Sequence, residues 1–408
     1  MVVSQYKLPS FWPLLSILQK GGFFPCKKVT NIETQKVTMQ PWNGFIHGLV
    51  YILCSSSIFA FMSFGYYQLY STSYGTVFDF FIELYQVGSS LQKSPFDLKV
   101  LMTIYALIFF MHAATLAHLI ISKNALCDVY NYFNEHASID FKLISMLMKP
   151  FSIHLIKIAF LMCTGWPVYI IGFTLNILEG LKYEFASVIP FMIALLLLLM
   201  WGFAPIMAFH LYFLEIALLL NSWILTFQEK LKYVANLTVI LQECKKIHVG
   251  LQMFASTISK LIFCLFVIIL IFGVIEAYLM IAFFISQDEF TLANTFIMMA
   301  YGLFGCLYLF FAYNYCNFSQ CIKDSVDGIK NTILDFEINE YHQVCIIDGK
   351  VTNIEHAKNR IISGLDAFQG FHGDGYFILG KELLTSIVAN FVTYLIILVQ
   401  FKVSEMST

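Results

Sequence analysis

Long apolar stretches alternate with shorter polar segments along the whole chain. A helix that crosses about 30 Å of hydrocarbon at a rise of about 1.5 Å per residue needs roughly 20 apolar residues, and seven stretches reach that length. The pattern therefore predicts an all-α membrane protein with seven transmembrane helices. We place these spans at residues 45–66, 98–121, 153–178, 188–221, 258–285, 295–318 and 383–401.

The composition supports this assignment and excludes other classes. Of the 408 residues, 59% are apolar and 12% are charged, which is too hydrophobic for a soluble domain. The formal net charge is -2 and Arg360 is the only arginine, so we expect no nucleic-acid partner. The sequence contains no phosphate-binding loop and no hydrolase or metalloprotease motif. We therefore expect no enzyme activity, no catalytic residue, no metal and no cofactor.

The distribution of lysine and arginine predicts the orientation in the membrane. Of the 24 such residues, 18 lie in four segments on one side of the predicted spans, at 1–44, 122–152, 222–257 and 319–382. Cytoplasmic loops retain positive charge during insertion, so the N-terminus is predicted to be cytosolic and the C-terminus extracellular. This orientation is the reverse of that of a G-protein-coupled receptor.

Two of these cation-rich segments have the pattern of helices. Residues 221–250 contain no proline, which predicts that the fourth helix continues beyond the membrane. Further along, Thr352 and Glu355 have the spacing of a capping box at a helix start, after a turn at Asp348 and Gly349. The apolar stripe of that helix packs either on the chain's own long helices or on another subunit, and it consists of Ile354, Ile361, Leu365 and Phe368.

A polar stripe follows the last predicted span. Three glycines between 369 and 377 predict a break just before this helix. Polar side chains then recur at steps of 4, 3, 4 and 3, which keeps them on one face together with one apolar position. Such a stripe either lines an aqueous pore or makes hydrogen bonds to neighbouring helices. Its members are Ser386, Asn390, Thr393, Ile397 and Gln400, with Ile397 a candidate gate that closes by dewetting.

The same helix carries a motif that resembles a known family. Thr393 and Tyr394, five apolar residues, and then Gln400 and Phe401 resemble the carboxy-terminal signature of insect gustatory receptors. The resemblance implies a ligand-gated, nonselective cation channel, assembled as a homotetramer in the plasma membrane of chemosensory neurons. It also implies that the seventh helix lines the pore, with Gln400 and Phe401 as the motif's own pore positions. The implied partners are a small-molecule tastant, permeant cations and membrane lipid.

The insect chemoreceptor fold that this resemblance implies divides the chain into five parts. Helical cytosolic extensions form an anchor between subunits, and the first six helices enclose a ligand pocket. The predicted parts are a cytosolic N-terminal segment (1–44), a six-helix bundle with the pocket (45–318, in which 221–257 extends helix 4), a cytosolic anchor segment (319–382), the pore-lining seventh helix (383–401) and an extracellular tail (402–408).

One residue of the motif bears on which class of ligand is expected. Sugar-sensing members commonly carry glutamate after the threonine–tyrosine pair, whereas this chain has Leu395. The resemblance therefore favours a bitter or plant-derived compound, with a fructose-type sugar as the alternative. Aromatic faces and one carboxylate in the outer halves of the spans suit an apolar or cationic ligand. These candidate ligand-binding residues are Tyr105, Trp166, Tyr169, Glu276, Tyr278 and Tyr301.

Other interpretations of these residues remain open. Membrane tyrosines and tryptophans often serve packing or interfacial anchoring, and a buried glutamate such as Glu276 is either paired or functional. We expect Glu215, His210, His112 and His118 to make helix–helix hydrogen bonds. At the level of the whole protein, the alternative classes are a seven-helix G-protein-coupled receptor, a secondary transporter and a membrane-embedded structural or chaperone subunit.

Overall fold

The computed structural model describes residues 11–30, 37–44, 48, 50, 53–54, 57, 110–111, 113–137, 141–181, 185–231, 237–286, 291–334, 344–347 and 350–407. The predicted spans at 45–66 and 98–121 lie largely outside these residues, as do Tyr105 and His112. The number of seven spans therefore stays a prediction.

The described residues form eight helices and three small antiparallel hairpins. In chain order the elements are α1 (Trp12–Lys20), β1 (Cys26–Thr30), β2 (Val37–Pro41), α2 (Lys123–His136), α3 (Phe141–Leu181), α4 (Phe185–Leu231), α5 (Leu237–Ser286), α6 (Leu292–Leu334), β3 (Val344–Ile347), β4 (Lys350–Asn353), α7 (Ile354–Asp366), β5 (His372–Gly373), β6 (Phe377–Ile378) and α8 (Lys381–Ser407).

Five of these helices, α3, α4, α5, α6 and α8, are long and apolar enough to cross a membrane. The last five predicted spans fall inside them. The longest, α5, has 50 residues and is therefore about 75 Å long, well over the thickness of the hydrocarbon. These helices must project from the bilayer at one or both ends.

The structure differs from the prediction that 221–257 extends the fourth helix. Helix α4 ends at Leu231 and α5 begins at Leu237, so the projecting segment consists of two helices. The absence of proline and of an internal glycine gave no signal for this division. The two helices are linked at this end by Trp223, whose ring nitrogen donates to Glu243 Oε1 over 2.8 Å.

Helix α4 forms the centre of the bundle. It contacts α1, α2, α3, α5 and α6, and 89% of its apolar stretch is buried within the chain. Large side chains that are fully buried on this helix include Phe209, Tyr212, Phe213 and Trp223. In its described part, Ala204–Leu231, this helix is apolar on most sides because it is enclosed by protein.

The contact between α3 and α6 depends on two glycines. A Cβ atom at Gly172 would lie 2.9 Å from the backbone oxygen of Ala293 and from Ile297. A Cβ atom at Gly165 would lie 3.0 Å from the ring of Phe304. Small residues of this kind let two membrane helices approach closely, which favours van der Waals packing where no hydrophobic driving force operates.

An N-terminal cap, formed by residues 11–30 and 37–44, covers one end of the bundle. Its helix α1 packs on α4, and its hairpin pairs β1 with β2 and packs on α2. Asn131 of α2 holds the hairpin, because its side chain accepts from the Met39 amide (2.7 Å) and donates to the Met39 carbonyl (2.9 Å). We call this end of the bundle the cap end.

The segment before α8 is also built on the cap end. Helix α7 is capped by Asn353, which accepts from the Glu355 amide over 2.8 Å, so the predicted cap at Thr352 is wrong by one residue. The expected turn at Asp348 and Gly349 lies outside the described residues. Leu365 is buried, and α7 packs on α5 and α6 of its own chain.

The predicted glycine break is present. Helix α7 ends at Asp366, and the hairpin of β5 and β6 separates it from α8. Gly370 has a φ of 117°, a backbone conformation that side chains with a Cβ atom rarely adopt. The next residue, Phe371, is fully buried, and its amide donates to Ser319 Oγ over 3.1 Å. The start of α8 is thus fixed to α6.

Candidate functional site

Helix α8 has one face that packs on its own chain. This face contacts α5 and α6, and the Phe391 ring lies against Gly273 of α5. Outside this face the helix is exposed, so that only 6% of its apolar stretch is buried within the chain. The buried and half-buried positions recur at helical spacing and include Leu383, Leu384, Ile387, Phe391, Leu395, Leu398 and Lys402.

The predicted polar stripe lies on the exposed part of α8. Ser386, Asn390, Thr393, Ile397 and Gln400 are all exposed. Ser386 Oγ donates to the Glu382 carbonyl (3.1 Å) and Thr393 Oγ1 to the Ala389 carbonyl (3.0 Å), both within the helix. Within the described part of the chain, the side-chain amides of Asn390 and Gln400 make no hydrogen bond. The stripe therefore makes no hydrogen bond to another described helix of its own chain.

The aromatic residues of the motif are exposed as well. Tyr394 is 52% and Phe401 62% accessible, and they lie beside the polar stripe rather than on it. Side chains of this size, left open on an apolar helix, need lipid or another protein surface to cover them. The structure places every predicted pore residue where a neighbour outside the chain could meet it.

The predicted ligand residues of α3 and α6 come together in a buried cluster. The Trp166 ring lies 4.4 Å from Phe304 and 6.5 Å from Tyr169, and the Tyr169 ring lies 6.1 Å from Tyr301. These centroid distances are within the range of favourable aromatic pairs. We call Trp166, Tyr169, Tyr301 and Phe304 the aromatic cluster. Phe304 was not among the predicted residues, although it lies one turn from Tyr301.

Glu276 of α5 borders this cluster. It is 4% accessible, and its carboxylate interacts electrostatically with both Tyr301 and Tyr308 of α6. Within the described residues, Glu276 Oε2 and the Tyr301 hydroxyl are buried without a hydrogen-bond partner. Tyr278 is also buried. It lies two positions after Glu276 along α5, and this spacing places the two side chains on different faces of the helix.

A small apolar cavity, which no pattern in the sequence predicts, lies between α4, α5 and α6. Tyr308 forms part of its wall and stacks on Phe272 of α5 at 5.1 Å, one turn from Glu276. The residues that line it come from four segments of the chain, so no local pattern could reveal it. They are Met111, Ile206, Leu265, Ile269, Tyr308, Phe311 and Tyr315.

Aromatic contacts connect this cavity to the start of α8. Tyr315 lies 4.9 Å from Phe213, which in turn lies 6.2 Å from Phe371. Phe254 of α5 packs on both Phe213 and Phe371, at 5.6 and 5.0 Å. Because interiors are close-packed, a change in the cavity wall is transmitted to the residues around it.

Comparison with known proteins shows the fold. No family model matches the sequence, and no curated protein sequence matches it either. Among solved structures, the insect olfactory receptor OR5 from Machilis hrabei superposes with a TM-score of 0.66 at 12% identity, over 96% of this chain and 98% of that one. The chain has the fold of an insect olfactory receptor. The same receptor in complex with eugenol gives a TM-score of 0.65 at 13% identity, over 96% and 97% of the two chains.

The structure also locates the other polar residues of the predicted spans. Of the residues expected to make helix–helix hydrogen bonds, His118 bonds the backbone of Thr257 on α5, whereas Glu215 bonds the N-terminal cap and His210 bonds no described residue. Glu215 Oε2 accepts from the Phe11 amide (2.8 Å) in the N-terminal cap, and His118 Nε2 bonds Ser122 Oγ (3.2 Å) within its own segment. Both ring nitrogens of His210 are buried without a hydrogen bond to any described residue, and its ring packs edge-on against Phe311 and Tyr315.

Glu215 also contacts a lysine of the N-terminal cap, far away in the sequence. Its second oxygen lies 3.6 Å from Lys28 Nζ, and this ammonium also lies over the rings of Trp12 (4.6 Å) and Tyr130 (4.8 Å). Burial lowers the pKa of Lys28, while the nearby Glu215 carboxylate acts in the opposite direction. These contacts attach the N-terminal cap to α4 from a sequence distance of about 190 residues.

Proposed function

We propose that the chain is one subunit of a tastant-gated, nonselective cation channel of the gustatory receptor type. Four copies surround a central pore, and α8 of each copy lines it. The four segments that carry 18 of the 24 cationic residues lie in the cytosol, and α8 ends outside the cell. The site of action is the plasma membrane of chemosensory neurons.

The observation that carries this proposal is the division of α8 into faces. At about 100° per residue, the polar stripe is centred roughly 140° from the face that packs on the chain's own helices. Exposed aromatic side chains, Tyr394 and Phe401, lie on one flank of the stripe, and exposed aliphatic side chains lie on the other. The aliphatic flank consists of Val388, Val392, Ile396 and Val403.

This arrangement suits a ring of four helices. The polar stripe of each α8 faces the water-filled axis, the packed face joins its own bundle, and the two flanks meet the neighbouring copies. The aromatic flank of one copy then packs on the aliphatic flank of the next, a heterologous contact that closes by rotation. A lipid-facing helix without neighbours would gain nothing from a polar stripe along its length, because lipid offers no hydrogen bonds.

The aromatic cluster with Glu276 is the proposed ligand site. Its surface is chiefly aromatic, with the Glu276 carboxylate, the hydroxyls of Tyr169 and Tyr301 and the indole N–H of Trp166 as polar groups, which suits a bitter or plant-derived compound better than a sugar with many hydroxyls. Ligand binding near the cavity would act on α8 through Tyr315, Phe213 and Phe371. Ile397, which is exposed on the stripe, is the proposed gate.

Recording from cells that express the chain alone tests this function. A panel of plant-derived bitter compounds and sugars should include at least one that evokes a cation current. Thr393→Ala should change single-channel conductance, because Thr393 lies on the stripe, and Gln400→Ala should change conductance or selectivity. Thr385→Ala is the matched control, since Thr385 is an exposed threonine of the same helix that also bonds its own helix (3.4 Å to the Lys381 carbonyl). Equal effects of the two threonine changes would contradict the pore assignment.

A further inference from the structure

Two buried polar groups on facing helices lack partners beside the aromatic cluster. Glu276 Oε2 on α5 and the Tyr301 hydroxyl on α6 make no hydrogen bond to any described residue, and neither residue is more than 4% accessible. They are close enough to interact electrostatically but do not bond each other. Native proteins rarely leave such groups unsatisfied, because the desolvation of a carboxylate is expensive in hydrocarbon.

The surroundings restrict what could satisfy these groups. Within the described residues Glu276 makes no ion pair, so its charge has no protein counter-ion there. Tyr301 belongs to the aromatic cluster, and Tyr308 stacks on Phe272 one turn below Glu276. Aromatic faces attract cations, and a carboxylate accepts hydrogen bonds but donates none. An ammonium group fits both properties, because it can donate to an ionised Glu276 carboxylate while it lies against the aromatic rings.

We propose that Glu276 is the recognition residue for a protonated amine, held between the Glu276 carboxylate, the Tyr301 hydroxyl and the aromatic cluster. This inference rests on the proposed function, because it assigns the ligand class of the same site. A tastant with an ammonium group and an aromatic or aliphatic body would satisfy the carboxylate, and its body would lie against Trp166, Tyr169 and Phe304. A neutral polyol would leave Glu276 without a counter-ion.

A pair of isosteric probes tests the proposal on the full-length protein in lipid nanodiscs. N,N-dimethyl-2-phenylethylammonium and (3-methylbutyl)benzene have the same shape and differ only in the charged nitrogen. Wild-type protein should bind the ammonium more tightly. Glu276→Gln keeps the shape of the side chain and should weaken ammonium binding by about tenfold or more while changing the binding of the hydrocarbon by less than about twofold. Tyr301→Phe should weaken ammonium binding by a smaller factor.

Thermal unfolding of each variant separates recognition from folding. If Glu276→Gln weakens both probes equally, Glu276 has a structural role and the proposal is wrong. If wild-type protein binds neither probe but a neutral tastant opens the channel, the ligand class is wrong and the proposed channel stands. If the ammonium binds in a Glu276-dependent way but no compound evokes a current, the recognition site stands and the channel proposal fails.

Discussion

Helices α4 and α8 are both apolar enough to cross a membrane, yet the chain surrounds one and leaves the other open. Within the chain, 89% of the apolar stretch of α4 is buried against 6% of that of α8. Helix α4 is enclosed by five neighbouring elements, whereas α8 contacts chiefly α5 and α6. Two helices of similar apolar composition therefore have different places in the structure: α4 lies at the centre of the bundle, and α8 lies on its outside.

The difference lies in how polar residues are distributed. On α4 the buried carboxylate Glu215 is satisfied by the N-terminal cap, through Phe11 and Lys28. On α8 the amides of Asn390 and Gln400 have no hydrogen bond to any described residue and are exposed. The carboxylate on the central helix therefore has its partners inside the chain, whereas a polar stripe on an exposed helix indicates water or another copy outside it.

The largest expected effect is at the centre of α4. Trp223 is fully buried and packs on Phe133 at 5.9 Å. Trp223→Ala leaves a large cavity and removes the donor to Glu243 Oε1, so it should destabilise the protein by about 3–5 kcal/mol. Phe401→Ala on α8 removes an exposed ring and should change the stability of a single subunit by less than about 0.5 kcal/mol. Chemical unfolding in detergent measures both; similar losses would contradict the comparison.

A smaller effect is expected where the N-terminal cap meets α4. Glu215→Ala removes the acceptor of the Phe11 amide and the counter-ion of Lys28, and should lower the free energy of unfolding by about 2–3 kcal/mol. Limited proteolysis should then cleave within residues 11–44 before the rest of the bundle. Glu229→Ala, at an exposed position nearer the end of α4, is the control. If Glu215→Ala leaves both the stability and the protease resistance of the cap unchanged, the contacts of Glu215 with Phe11 and Lys28 do not hold the cap.

The smallest expected changes in stability come from substitutions at two glycines. Gly172→Ala places a methyl group 2.9 Å from α6 backbone atoms and should cost about 1–3 kcal/mol. Gly305→Ala on α6 meets nothing within 4 Å, so it should stabilise the helix by up to about 1 kcal/mol through lower conformational freedom in the unfolded chain. Thermal unfolding of the two variants should therefore shift in opposite directions. A stabilising Gly172→Ala would contradict the close α3–α6 contact.

Periodic features were accessible to sequence reasoning, and long-range contacts were not. The last five spans, the break near Gly370 and the exposed polar stripe of α8 each follow from a repeating pattern within one segment. The cap of α7 is Asn353 and not the predicted Thr352. The two residues are adjacent and have similar capping strength, so the sequence pattern does not distinguish them. The partners of Glu215 are near the N-terminus, in a nine-residue helix and a short hairpin too brief to show a period.

The candidate site shows the same limit. Trp166 and Tyr169 come together with Tyr301, as residues predicted for one pocket should, but Tyr278 lies on another face of α5. The cavity has walls from segments as far apart as Met111 and Tyr315, and Phe371 is connected to it through Phe213. Packing determines which helices are neighbours, and this packing cannot be deduced from a single sequence.

Water accessibility of α8 in the assembled channel tests the central claim most directly. Cysteine is introduced at Thr393 on the polar stripe or at Val392 on the aliphatic flank, and a membrane-impermeant, positively charged thiol reagent is applied during current recording, with wild-type protein as the control for native cysteines. The account predicts rapid block of the Thr393→Cys channel and little or no effect on Val392→Cys. Block of Val392→Cys with an unreactive Thr393→Cys would contradict the claim that the polar stripe faces the pore.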